Sequence, residues 1–183
     1  MVGRNPQKPI DAVTLLTQDH KQVKELFAEF KRFQEEETEG VDEMKQDLME
    51  EVCTMLTIHA QIEEEIFYPA VREALPNEAD LLNEAEVEHA GAKALIAQIE
   101  AGKASDPMTC ARFIVLSEQI DHHVEEEQDE MFPKVKKSSM DLAAVGRKLQ
   151  ARKEALENAP PKGTAPSKDK ASLWDRITQQ RAG

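Results

Sequence analysis

The sequence predicts an all-α fold: an up-down-up-down four-helix bundle, followed by a short C-terminal helix and a disordered tail. Three observations carry this. Four stretches repeat apolar residues three and four positions apart, the period of a helix with one buried face. The composition suits long amphipathic helices, with only 7 Gly and 4% aromatics in 183 residues. The connections between the stretches are short, which makes successive helices antiparallel neighbours. Strand-type alternation is hard to find, and the length suits one domain with a sizeable core plus appended sequence.

The first helix is expected from Asp11 to about Glu36, with Val13, Leu16, Val23, Phe27 and Phe30 on its apolar stripe and His20 inside that stripe. The second runs from about Asp42 to Tyr68 and turns Leu48, Val52, Met55, Ile62 and Ile66 inward. His59 continues that face, and Pro69 is expected to break or kink the helix. After Pro76 and Asn77 the third helix extends to about Ala101, with Leu82, Ala85, Ala92, Ile96 and Ile99 buried, His89 in the seam and Gly102 as terminator. Asp106 and Pro107 form an N-cap and first-turn pair for the fourth helix. Its stripe is Phe113, Leu116, Ile120, His123 and Met131, and Pro133 is expected to stop it.

The chain therefore divides into an N-terminal arm at 1–9, the bundle at 10–135, an additional helix within 136–158 and a flexible basic tail at 159–183. The additional helix is expected to start at Ser138 and Ser139, with Leu142, Val145 and Leu149 as a narrow apolar edge. The tail is rich in Pro, Lys and Ser. It holds the only tryptophan, Trp174, in a segment suited to contact with a protein partner.

The formal charge of -13 argues against nucleic acid or an anionic membrane surface as partner. It is unevenly spread: residues 134–183 carry 12 Lys/Arg against 5 Asp/Glu, so residues 1–133 hold -20. No apolar run has the length of a signal peptide or a membrane span, and Cys53 and Cys110 form no Cys-x-x-Cys pattern. A cytoplasmic location with reduced thiols is expected.

One sentence of sequence is written twice. HAQIEEEIFYPAV at 59–71 overlays HVEEEQDEMFPKV at 123–135, matching His59 with His123, Glu63 with Glu127, Tyr68 with Phe132, Pro69 with Pro133 and Val71 with Val135. A step of four residues turns a helix about 400°, so His59 and Glu63 share a face, as do His123 and Glu127. Each of the four helices thus places one histidine on its apolar stripe, and two add a glutamate. Carboxylates in an apolar core cost several kcal/mol unless paired or bound to metal, and no lysine or arginine lies on the seam beside them. A lone histidine there would say little; the repeated set points to metal ligands His20, His59, Glu63, His89, His123 and Glu127. Six ligands are too many for one tetrahedral zinc. Divided by helical hairpin, they give two sets of two histidines and one carboxylate, a donor set that suits iron(II) with open positions.

These residues resemble the hemerythrin-like HHE cation-binding family, whose signature is two successive His…His-x-x-x-Glu units. His20 with HAQIE and His89 with HVEEE match it, over roughly residues 10–135. The resemblance implies a four-helix bundle around two iron ions in an oxo- or hydroxo-bridged di-iron centre. Glu63 and Glu127 would be the bridging carboxylates, with His20 and His59 on one iron and His89 and His123 on the other. The chain departs from oxygen-carrying hemerythrins, which have a fifth histidine in a His-x-x-x-His pair on the third helix; here Ala85 and Lys93 flank His89 at that spacing. Glu86 is a candidate extra ligand set against a solvated reading. The proline register selects His123 and leaves His122 outside the centre. Tyr68, nine residues past His59, should point about 180° away, and Glu64, Glu65, Glu125 and Glu126 should be solvated.

The function expected is binding or sensing of a small oxidant or gas, O2, NO or peroxide, at the iron pair. The alternatives are a catalase- or peroxidase-like di-iron enzyme, and an interaction module whose bundle is fixed by metal. No nucleophile with its base points to another enzyme class.

Overall fold

The structure is a computed structural model that describes residues 10–35 and 39–159. The arm at 1–9, residues 36–38 of the loop after the first helix and all of the tail but Ala159, Trp174 included, lie outside the described residues. Those described are helical without a strand: α1 (Ala12–Gln34), α2 (Val41–Ile62), α3 (Tyr68–Ala74), α4 (Ala79–Glu100), α5 (Pro107–Glu126), α6 (Phe132–Lys137) and α7 (Leu142–Glu157). One wide π-helical turn, Glu63–Phe67, joins α2 to α3, and another, Glu127–Met131, joins α5 to α6, so the described residues form five helical rods.

Local chemistry sets the boundaries. Asp11 caps α1 by accepting from the Thr14 N–H, and Asp106 caps α5 by accepting from the Met108 N–H. Gly40 enters α2 with φ 84°, a left-handed conformation that favours glycine. Gly102 is needed for space rather than for φ: a Cβ there would meet Thr109 Oγ1 at 2.2 Å. The fifth rod, α7, starts later than the serine pair, because the Asp141 side chain supplies the cap by accepting from the Ala144 N–H.

The prolines neither break nor stop their helices. In each π turn a backbone N–H reaches five residues back, Tyr68 to Glu63 and Phe132 to Glu127. Pro69 and Pro133 follow at once, where a ring without an N–H would clash with the carbonyl four residues earlier in a tight α-helix. The wider turn absorbs the clash and the helix resumes. One extra residue per turn removes about 100° of rotation from everything downstream.

The helices α1 with α2, α4 with α5, α2 with α4, and α1 with α5 pack side by side, and α7 lies over α1 and α2. Gly146 permits that approach, since a Cβ there would stand 2.4 Å from the Ile10 carbonyl. Two apolar clusters result. One, around Phe27, Phe30, Leu48, Val52 and Phe113, closes one end. The other, around Leu16, Ile62, Phe67, Phe132, Val145 and Leu149, closes the opposite end beneath α7. The histidines lie between them. Among the described residues no helix is long and apolar enough to cross a membrane.

Candidate metal centre

The four histidines of the apolar stripes, His20 on α1, His59 on α2, His89 on α4 and His123 on α5, are all buried, as are Glu63 and Glu127. Their Nε2 atoms converge: His20 and His59 at 3.0 Å, His89 and His123 at 3.2 Å. Glu63 lies between the pairs, Oε1 3.2 Å from His59 Nε2 and Oε2 3.4 Å from His89 Nε2. Glu127 Oε2 is 3.2 Å from His20 Nε2 and 3.8 Å from His123 Nε2. The six residues expected from the sequence thus come together as two groups able to hold a cation: His20, His59, Glu63 and Glu127, and Glu63, His89 and His123.

The outward-facing Nδ1 atoms also have partners. Asp19 Oδ2 is 3.4 Å from that of His59, Glu64 Oε1 3.0 Å from that of His89, and Glu88 Oε2 2.8 Å from that of His123. The Gln128 amide is 3.2 Å from His20 Nδ1. A carboxylate only accepts, so His59, His89 and His123 carry their proton on Nδ1 when neutral and turn a lone pair inward from Nε2. Carboxylates behind imidazoles in this way fix the tautomer of a metal ligand.

The donor chemistry fits metal. Glu63 is fully buried, and both its oxygens, with Glu127 Oε2, make no hydrogen bond. Buried acceptors without a donor cost free energy comparable to a lost hydrogen bond or more, and lone pairs aimed at a common centre are stabilised by a cation. Electrostatics concur. Burial opposes a charged His59, yet the Glu63 carboxylate and the Asp19 hydrogen bond push it up to about 10. Burial likewise opposes an ionised Glu63, yet His59 and His89 hold its carboxyl well below the ordinary range.

Tyr68 was expected to point away and does not. The π turn swings it inward, and its hydroxyl lies 3.2 Å from both Glu127 Oε1 and His89 Nε2. Its counterpart Phe132 stacks on His20 with ring centroids 5.8 Å apart. Glu64 is not simply solvated either, being held between His89 and the Lys93 ammonium. These outer partners repeat as the inner histidines and glutamates do: an acid precedes the first histidine of each unit (Asp19, Glu88), and a polar residue follows each glutamate (Glu64, Gln128). That repeat was available in the sequence, but which partner each residue meets depends on how the helices face one another. Glu86 pairs with Arg72 on the surface, and His122, 63% exposed, faces Glu88 and Glu126 outside the centre.

An all-helical fold enclosing a buried histidine and carboxylate cluster defines a metal-binding helical protein. Residues 11–135 match the hemerythrin HHE cation-binding domain, and the chain belongs to that family. A similar fold occurs in a crystal structure of a hemerythrin HHE cation-binding domain-containing protein from Mycobacterium kansasii, at 24% identity and a TM-score of 0.65, over 80% of this chain and 87% of that one. No curated protein matches the sequence significantly.

Proposed function

We propose that His20, His59, His89, His123, Glu63 and Glu127 hold two iron ions, with Glu63 and Glu127 bridging them, and that the pair binds or senses a small oxidant or gas. The observation that carries this reading is the buried Glu63 carboxylate, one oxygen turned to each histidine pair and neither hydrogen-bonded. Four neutral nitrogens and two carboxylates leave open positions at a six-coordinate metal pair, a pattern that favours iron over tetrahedral zinc. An iron pair bound there supplies open coordination positions and a change of oxidation state. The up-down-up-down order of the four main rods, supported by their short loops, belongs to the same reading.

The chain's own residues shape access. Val23, Leu56, Ala92, Ile96, Ile120 and Val124 line an apolar cavity of ≈ 20 Å³ against the four histidines. That is room for one water-sized or diatomic molecule. Neither residue four positions from His89 is a histidine: one is Ala85, and the other, Lys93, salt-bridges Glu64 rather than offering a ligand. Asp19, Glu64 and Glu88 hold their imidazoles in one tautomer, while the Tyr68 hydroxyl keeps a proton beside Glu127 Oε1. That proton favours a second reading, peroxide turnover, because breaking an O–O bond consumes protons.

The test is metal analysis and an absorption spectrum on protein from iron-supplemented cells, then stopped-flow mixing of the reduced protein with O2, NO and H2O2 separately. Two irons per chain with a near-ultraviolet oxo-to-iron band and a reversible change with one gas are expected. Stoichiometric zinc without that band would overturn the reading, and peroxide loss faster than in a His59→Ala, His123→Ala double variant would select the enzyme.

A further inference from the structure

The two halves of the centre share one plan but carry different charge. Behind His20 stands the neutral Gln128, whereas its counterpart behind His89 is Glu64, offset by Lys93 with Nζ 2.6 Å from both carboxylate oxygens. Behind His59 stands Asp19, and Lys153 of α7 donates to its other oxygen at 2.5 Å. The counterpart behind His123 is Glu88, which meets no lysine or arginine among the described residues; its other oxygen is 3.6 Å from the exposed His122. Counting lysine and carboxylate charges, the surroundings of His20 and His59 sum to zero and those of His89 and His123 to one negative charge. The pseudo-repeat has no second copy of α7, so it cannot supply a second Lys153. Arg152 holds α7 in register through Glu65 on the first π turn, donating from Nε and Nη2 at 2.7 and 3.0 Å.

We propose that Lys153 is a positioning residue that makes the two metal positions inequivalent: by neutralising Asp19 behind His59, it leaves the His89–His123 position to take the first, more tightly held divalent cation. This rests on the two-ion reading above. A carboxylate that accepts the Nδ1 proton makes the opposite nitrogen a stronger donor. An ammonium on that carboxylate draws the effect away. Asp19 is 7% exposed, so water screens the pair little.

The experiment titrates the metal-free full chain anaerobically with Fe(II), and separately with Co(II) as a visible-absorbing probe, resolving two binding constants by calorimetry and absorption. Wild type is expected to show two steps about tenfold or more apart. Lys153→Met should tighten the second step and close the gap, Lys153→Arg should keep it, and Glu88→Gln should weaken the first step and also close it. Glu88 is not part of the α7 contact, so it tests the charge asymmetry even if Lys153→Met folds poorly. An unchanged ratio in Lys153→Met with a lower melting temperature, or a weakened second step, would make Lys153 merely structural and overturn the inference while the two-ion reading stands. A wild-type chain that takes up fewer than two ions would overturn both.

Discussion

Replacing Tyr68 by Phe isolates the residue that the helical register hid. The substitution keeps the ring, which is 1% exposed, and removes only a hydroxyl 3.2 Å from Glu127 Oε1 and from His89 Nε2. The apolar burial is unchanged, and Phe132 shows that the repeat tolerates a phenyl ring at this position. The cost is therefore the hydrogen bond to a buried, charged acceptor. Such bonds contribute about 1.5–3 kcal/mol, and the 3.2 Å separation puts this one near the lower figure. A loss of about 1.5 kcal/mol lowers the melting temperature by about 3–6 °C for a chain of this size. Thermal unfolding followed by circular dichroism, with and without metal, measures it. On the proposed two-ion reading His89 Nε2 would be committed as a ligand, which leaves Glu127 as the acceptor of the Tyr68 proton and makes Tyr68 the group that orients that carboxylate; metal affinity should then fall about tenfold in Tyr68→Phe. Unchanged melting and affinity would show that the hydroxyl contributes nothing to the centre.

Glu63→Ala and Glu127→Ala should each lower metal content and melting temperature together, because the bound ion contributes folding free energy. His122→Ala should change neither, and equal losses from His122→Ala and His123→Ala would refute the proline-aligned register of the two repeats. In metal-free protein His59 is raised from 6.5 to about 10, so its stabilisation is complete below pH 6.5 and is lost as pH rises towards 10. Glu63, held below its ordinary 4.5, stabilises above that pH and loses its effect as pH falls further. A stability maximum between those limits is expected from melts across pH, while metal affinity should instead rise with pH as the ion displaces the His59 proton. Gly146→Ala should destabilise by about 1–3 kcal/mol, since the added Cβ would push α7 off the start of α1; urea unfolding tests this.

The sequence determined the helices and the six residues of the candidate centre because both are short-range facts. Apolar spacing marks a buried face within one helix, and His59 with Glu63 share a side of α2 whatever packs against it. The repeat at 59–71 and 123–135 then selected His123 over His122. Tertiary structure decided what depends on register across a discontinuity or on contact between distant segments. The proline signal was visible, but whether Pro69 ends a helix or widens one turn depends on packing beyond it: α3 continues because Tyr68 and Val71 are buried against the rest of the core. That single choice rotates Tyr68 from the surface into the centre. Asp19, Glu88 and Gln128 could not be matched to their histidines from spacing, since each bond joins residues 35 to 108 positions apart. Lys153, 134 residues from Asp19, acquires its partner only when α7 folds back across α1.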